Sequence, residues 1–243
     1  MLKVQTFMTG TMTYDSALRA WDVDGTDFGK IITVPVWQAI VTGGAETVLF
    51  DTGFGDPRLP LNMFWKAERK QDQEIIAQLK KINLKPEDID IVVNSHLHVD
   101  HAGNNALFKN AKFYVQRDEL GYAYLPASFQ TKLYDRRDFD YPLDYIQIKG
   151  DYELFDGAQI LSTPGHTPGH QSLVIDVGEE KLILCGDAAM CRTNWDKLVI
   201  SGTSYSLVDF QDSILKLKKI KSGIPLFSHD MEFLEKEMKK VYG

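Results

Sequence analysis

Three features of the 243-residue sequence predict a layered α/β (α+β) fold. Short, β-branched apolar runs recur and end at Gly, Asp, Asn or Pro, as strands do. Windows with apolar residues every three to four positions lie among them, as amphipathic helices require. No linker, internal repeat or low-complexity segment interrupts the chain. Sheets and helices with one apolar face must cover one another, so residues 1–243 are expected to form a single domain.

The elements follow in order. "KIITVPVWQAIVT" (30–42) and "TVLFDTG" (47–53) read as strands. "DQEIIAQLKKI" (72–82) reads as a helix, with Ile75, Ile76, Leu79 and Ile82 on one face. Further strands are expected in "IDIVVNSH" (89–96), "AKFYVQ" (111–116), "QSLVIDV" (171–177) and "KLILCGD" (181–187), the last two joined by a hairpin turn at "GEE" (178–180). Phe210, Ile214, Leu217 and Ile220 mark a helix over 208–220, and Phe233, Met238 and Val241 a short final one. Two segments fit neither period. Residues 54–70 place Leu59, Leu61, Met63, Phe64 and Trp65 among prolines; residues 121–145 carry five tyrosines and two phenylalanines in a loop-like context. Loops of this length form lids or substrate walls about as often as they simply pack on the surface. The apolar 54–70 segment also suggests a homodimer contact.

Composition narrows the function. A net charge of −7 and a pI near 5.4 give no electrostatic reason for a nucleic acid or anionic membrane partner. Two cysteines, Cys185 and Cys191, do not make a disulfide framework, which suits a reducing cytoplasm. The N-terminal residues lack the basic and apolar regions of a signal peptide, and no run approaches the ~20 apolar residues of a membrane span. A cytoplasmic protein acting on a small molecule is expected.

The chemistry is concentrated in "NSHLHVDHAGN" (94–104), which holds three of the six histidines of the chain. His96 and His98 are two apart, so in extended backbone both imidazoles face one side and can grip one metal ion. Asp100 and His101 diverge from that pair and can reach a second ion, with the aspartate supplying the negative charge that two close cations need. The remaining donors stand in similar places. His166 sits in "STPGHTPGHQS" (162–172), Asp187 follows the run "LILCG" where a carboxylate can bridge two ions, and His229 lies in "PLFSHDMEF" (225–233). His170 begins a strand and reads as a supporting or structural residue. A lone histidine is more often a satisfied core or surface residue than a ligand. A tight His/Asp cluster after a buried strand has few structural uses, because each desolvated polar group needs a partner.

On these residues the sequence resembles the metallo-β-lactamase superfamily. "HLHVDH" has its H-x-H-x-D-H signature, and "DTG" (51–53), "TPGHTPGH" (163–170), "GD" (186–187) and "SHD" (228–230) fall in its order. The likeness runs from "PVW" (35–37) to the end of the chain. Within the superfamily, "PVW", "SHLHVDHAG", "VQRDE", "GDYEL" and "TPGHTPGHQSL" are similar to the N-acyl-homoserine lactonases, the quorum-quenching enzymes. The resemblance implies a four-layer αβ/βα sandwich, two mixed β-sheets flanked by helices, with a site along one edge. It assigns His96, His98 and His166 to one ion, Asp100, His101 and His229 to the other, and Asp187 to both. It makes Asp51 the acid that orients a ligand histidine, a support that metal sites generally need. His and carboxylate donors suit Zn²⁺, and also Fe, Mn or Co. The chain departs from the lactonases at two positions that would border substrate. Met190 stands where they carry a tyrosine, three residues after the bridging aspartate, and Val99 stands where phenylalanine is common. The missing phenol would have to come from elsewhere, for example from the 121–145 segment, or be absent.

The expected reaction is attack of an activated water on a lactone carbonyl, with Asp100 carrying the proton to the departing ring oxygen. Phe64, Trp65 and the aromatic 121–145 segment would form a trough for the acyl chain, each buried CH₂ contributing roughly 0.8 kcal/mol. Other readings compete. Another lactone, ester or thioester could be the substrate of the same site. A β-lactamase of this superfamily usually places a cysteine in the second metal site, where this chain has Asp187. A thioesterase would carry an added C-terminal helical region, and nucleases tend to basic surfaces. A binding module without activity would have no reason to keep every ligand.

Overall fold

The computed structural model describes residues 1–22, 28–56, 66–237 and 240–243. Its strands are β1 (Lys3–Asp15), β2 (Ile31–Thr42), β3 (Val48–Phe50), β4 (Lys66–Glu68), β5 (Ile91–Val93), β6 (Lys112–Gln116), β7 (Asp144–Ile148), β8 (Tyr152–Phe155), β9 (Ala158–Ser162), β10 (Gln171–Asp176), β11 (Lys181–Leu184), β12 (Gly223–Leu226) and β13 (Val241–Tyr242). The helices are α1 (Ile75–Lys81), α2 (Val99–Ala102), α3 (Arg117–Tyr124), α4 (Arg136–Phe139), α5 (Arg192–Lys197), α6 (Leu207–Leu217) and α7 (Met231–Glu237). Among the described residues the strands form two mixed sheets. One runs β13-β1-β2-β3-β5-β6-β7 with β4 paired to β1; the other runs β12-β11-β10-β9-β8.

Alternation along the strands explains the layering. On β5, Ile91 and Val93 enter the core between the sheets, together with Val41, Phe50, Leu173 and Leu184. Val92 points the other way, with Ile40, Leu49 and Phe113, onto Ile75 and Leu79 of α1. A strand buried on both faces reads as an unbroken apolar run, as this one does. Each of these side chains contributes about 1.5–3 kcal/mol by leaving water. α6 adds Phe210, Ile214 and Leu217 to the inter-sheet core, and Ser206 caps its N-terminus by accepting from the Asp209 amide. Helices thus flank two facing sheets, the αβ/βα sandwich.

The sheets are also joined by polar groups. Gln171, at the start of β10, donates through Nε2 to the carbonyls of Asn94 and Tyr114, both at 2.9 Å, and its backbone N–H reaches Ser95 at 2.8 Å. Trp37 Nε1 of β2 donates to the Phe227 carbonyl at 2.8 Å. These bonds fix the ends of β5 and β12 at the same edge of the sandwich.

Several expectations needed correction. The 13-residue β1 is missing from the strands read in the sequence, because its pairing with β2 shifts register between Met8 and Gly10 and its alternation slips there. β4, β7, β8, β9 and β13 were also absent from that reading, and β12 entered it only as the strand end before His229. Residues 121–145 are not one loop: the end of α3, a single turn at Thr131–Leu133, α4 and the start of β7 occupy much of them. Ile76 is 48% exposed and does not share the buried face of Ile75 and Leu79. Val241 belongs to β13, paired with β1, and not to the last helix. Leu59, Leu61, Met63, Phe64, Trp65 and Met238 lie outside the described residues, as does the side chain of Phe233. Among the described residues, no helix is long and apolar enough to cross a membrane.

Candidate metal centre

Two pairs of parallel strands, β3 with β5 in one sheet and β11 with β12 in the other, end at the same edge. Asp51 follows β3, the 94–101 segment follows β5, Asp187 follows β11 and His229 follows β12; His166 comes from the turn between β9 and β10. Strand ends of this kind hold side chains rigidly above a crevice. All seven candidate ligands are buried, and their donor atoms form three overlapping groups: His96 with His98 and His166; His96 with His101 and Asp187; and Asp100 with His101 and His229.

Hydrogen bonds at the outer side of three rings, His96, His101 and His229, fix which nitrogen faces inward, whereas the outer His98 Nε2 and His166 Nδ1 have no hydrogen-bond partner among the described residues. Asp51 accepts from the Ser95 amide at 2.6 Å through Oδ1, and from the Ser95 hydroxyl and His101 Nδ1, both at 2.8 Å, through Oδ2. Ser95 Oγ has given its proton to Asp51, so it accepts from His96 Nδ1 at 3.0 Å. His229 Nδ1 donates to the Pro35 carbonyl at 2.9 Å. In the neutral rings the Nε2 atoms of His96, His101 and His229 are therefore left as lone pairs aimed into the cluster. His96 Nε2 lies 2.9 Å from His98 Nδ1, which lies 3.1 Å from His166 Nε2.

Asp187 stands between the groups. Its Oδ2 is 3.2 Å from His166 Nε2, and its Oδ1 is 3.4 Å from both His101 Nε2 and His229 Nε2. Ser228 Oγ donates to Oδ1 at 2.6 Å, and the Asp187 amide donates to His170 Nε2 at 2.8 Å. His170, whose Nδ1 faces Thr163 at 2.9 Å, thus positions the carboxylate and stands outside the three ligand groups. Gly186 is needed beside it: φ is +54°, and a Cβ there would meet His170 Nε2 at 2.7 Å and Ser95 Cβ at 2.8 Å.

The titration behaviour separates two halves. Burial drives the His96 and His98 imidazoles well below their usual range, helped by neighbouring histidines, and takes His166 to about 4 and His170 to about 3. Those rings are neutral and their lone pairs are available. Burial opposes charge on His101 and His229 as well, but the carboxylates outweigh it and hold both above the usual value, led by Asp100 at His101 and by Asp187 at His229. Burial also works upward on Asp187, where His229, His101 and His166 prevail and keep it well below the usual carboxylate range.

These residues fit a pair of cations. His101 Nε2 is buried without a hydrogen-bond partner and faces Asp100 Oδ2 and Asp187 Oδ1, each at 3.4 Å. With Nδ1–H held by Asp51, that nitrogen turns a lone pair toward two anionic oxygens. The contact is repulsive unless a positive charge lies between them, and a proton and a metal ion compete for that role.

A cavity of about 10 Å³ opens at the cluster, lined by His98, Asp100, His166, Asp187, His229 and Met190, together with Met12, Tyr14, Leu18 and Thr203. A larger cavity of about 740 Å³ shares Leu18 and Thr203 with it and is walled by Ile31, Phe129 and Leu133. Val99 is buried in α2 and does not line the small cavity. The phenol that does so is Tyr14 of the overlooked β1. The 121–145 segment instead sends Tyr134 edge-on against the His98 ring, 4.5 Å between centroids, while its hydroxyl donates to Glu119. Tyr14 carried no local sequence signal; Ser95, Glu119 and Ser228 fall inside the quoted motifs "SHLHVDHAG", "VQRDE" and "SHD", which gave them no role. Cys185 is buried, and none of the candidate ligand groups among the described residues contains it.

Comparison with known proteins agrees with this geometry. The family profile of the metallo-beta-lactamase superfamily matches residues 32–229. An N-acyl homoserine lactonase of Bacillus cereus is 32% identical over 218 residues, 84% of this chain and 84% of that protein. One from Rhizobium radiobacter is 34% identical over 200 residues, 77% of this chain and 74% of that one. A solved N-acyl homoserine lactone hydrolase, with the product N-hexanoyl-L-homoserine at its catalytic metal centre, superposes with a TM-score of 0.85 at 29% identity, covering 96% of this chain and 95% of that chain.

Proposed function

The chain belongs to the metallo-β-lactamase superfamily, and from that premise we propose that it is a dinuclear metal-dependent hydrolase that opens the lactone ring of N-acyl-homoserine lactones. The observation that carries the proposal is Asp187: one carboxylate with an oxygen toward each of two histidine groups whose lone pairs converge on it. Sequence identity to lactonases along most of the chain supplies the substrate class. His96, His98 and His166 would hold one ion, Asp100, His101 and His229 the other, and Asp187 both. Imidazole and carboxylate donors favour Zn²⁺. When bound, the ions supply an activated water at neutral pH and Lewis-acid polarisation of the carbonyl.

The protein side chains do the rest. Asp100 is held ionised below the usual carboxylate range, because His101 and His229 outweigh its burial. It accepts the proton of the attacking water and passes it to the ring oxygen as that bond breaks. Tyr14 stays protonated, since burial and then the Asp187 charge push its phenol well above the usual value. It serves as hydrogen-bond donor to the substrate carbonyl, the role left open by Met190. The larger cavity beyond Leu18 and Thr203 receives the acyl chain, and its volume is typical of small-molecule sites.

The Met190 position supports a second reading, in which the same site hydrolyses another lactone, ester or thioester. A pH-indicator screen of zinc-loaded protein separates the two. Acyl-homoserine lactones of several chain lengths should be turned over fastest, against γ-lactones, thioesters and β-lactams. Turnover of thioesters or β-lactams alone would sink the first reading.

A further inference from the structure

Glu119 has no place in the chemistry above, yet it is fully buried and surrounded by donors from both ligand loops. Its Oε1 accepts from the backbone N–H of Leu97, the residue between His96 and His98, at 3.0 Å. The same oxygen accepts from the Tyr134 hydroxyl at 2.9 Å, and the Tyr134 ring braces His98 edge-on. Its Oε2 accepts at 2.5 Å from the hydroxyl of Thr167, the neighbour of His166. The Gly169 amide, farther along that loop, also bonds to the carboxyl. Gly169 has to be glycine for this approach, because a Cβ there would come within 2.1 Å of the Glu119 backbone nitrogen.

We infer that Glu119 is a positioning residue that holds the 96–98 and 166–169 segments in register, so that His96, His98 and His166 present one set of metal-binding nitrogens. The inference rests on the reading of the cluster as a metal centre. The other set depends on different supports, Asp51 for His101 and the Pro35 carbonyl for His229. Loss of Glu119 therefore acts on one ion of the pair. A buried acid that merely staples α3 to the core would leave the two metal equivalents alike.

The test is chelator-competition titration with Zn²⁺, paired with the visible absorption of the Co²⁺-loaded protein. Wild type should take up two equivalents. Glu119→Ala should weaken one of them about 10–100-fold, the usual effect of losing a ligand's support, and alter the cobalt spectrum of one site. Glu119→Gln should fall between, since its carbonyl can keep Leu97 and Tyr134 while its amide group replaces the oxygen that accepts from Thr167. A folded Glu119→Ala chain that binds both equivalents as wild type does, or weakens both alike, overturns the role. Should that chain aggregate, Thr167→Val and Tyr134→Phe decide: each removes one donor and should weaken the same equivalent, and wild-type affinity in both overturns the role. Wild-type protein that takes up no metal overturns the metal reading itself, a separate failure.

Discussion

Asp51→Asn is the sharpest test of how the second histidine group is aimed. The carboxylate is buried and accepts three hydrogen bonds, at 2.6, 2.8 and 2.8 Å. Asparagine keeps the shape and can still serve the Ser95 amide through its one oxygen. Its NH₂ then faces His101 Nδ1, where donor meets donor, and the Ser95 hydroxyl, which has to turn round to accept. The simplest relief is a tautomer change that moves the His101 proton to Nε2, against the Asp100 and Asp187 carboxylates and onto the atom meant for metal. A hydrogen bond to a charged group contributes about 1.5–3 kcal/mol. At about 1.4 kcal/mol per tenfold, that is a loss of roughly 10- to 150-fold in affinity for the ion bound through His101. The assay is competition with a chromophoric chelator, alongside a thermal melt to show that the fold survives. Two equivalents bound with unchanged affinity would refute the tautomer reasoning outright.

Other outcomes follow from the same geometry. Asp100→Asn should lower kcat by about 10²–10⁴, the usual contribution of general acid–base transfer, while metal analysis still finds most of both ions; an unchanged rate removes Asp100 from the proton path. Tyr14→Phe should lower kcat/KM about 100-fold at full metal content, and wild-type kinetics would show that the carbonyl has no partner there. Asp138 of α4, beside the buried Phe139, gives a pH effect on stability. Burial, then the Asp135 charge, raises its carboxyl to about 7. Its folded pKa exceeds the unfolded value, so the folded state holds the extra proton and stability declines as pH rises between about 4 and about 7. Asp138→Asn should remove that decline, raising the melting temperature at pH 8 and leaving it unchanged at pH 4; equal curves at both pH values refute the assignment.

The candidate ligand cluster was legible because its signal is local. His96, His98, Asp100 and His101 lie within six residues, and His166, Asp187 and His229 each stand beside a buried strand. β5 and β11, which lead to the 94–101 segment and to Asp187, are buried apolar runs and read plainly. β1 was not legible, because a bulge breaks its alternation, and with it went Tyr14. The short helices of 121–145 bury single residues such as Leu133 and Phe139, too few to show a period. Glu119 was invisible for another reason. Its partners are Leu97, Tyr134 and Thr167, and nothing in a linear chain shows that a carboxylate at one position will meet them. Asp51 was found only through resemblance, since an aspartate ending a strand is commonplace until the histidine it faces is known.

Asp187 has a consequence for how the protein responds to its surroundings. An anion that turns one oxygen to each histidine group is already partly neutralised once the first guest arrives, and the second also meets a like charge close by. Were both groups to hold a cation, loading would be graded, with a span of metal supply over which molecules carry one. Such a half-filled population would report a slower catalyst, not a smaller amount of a normal one.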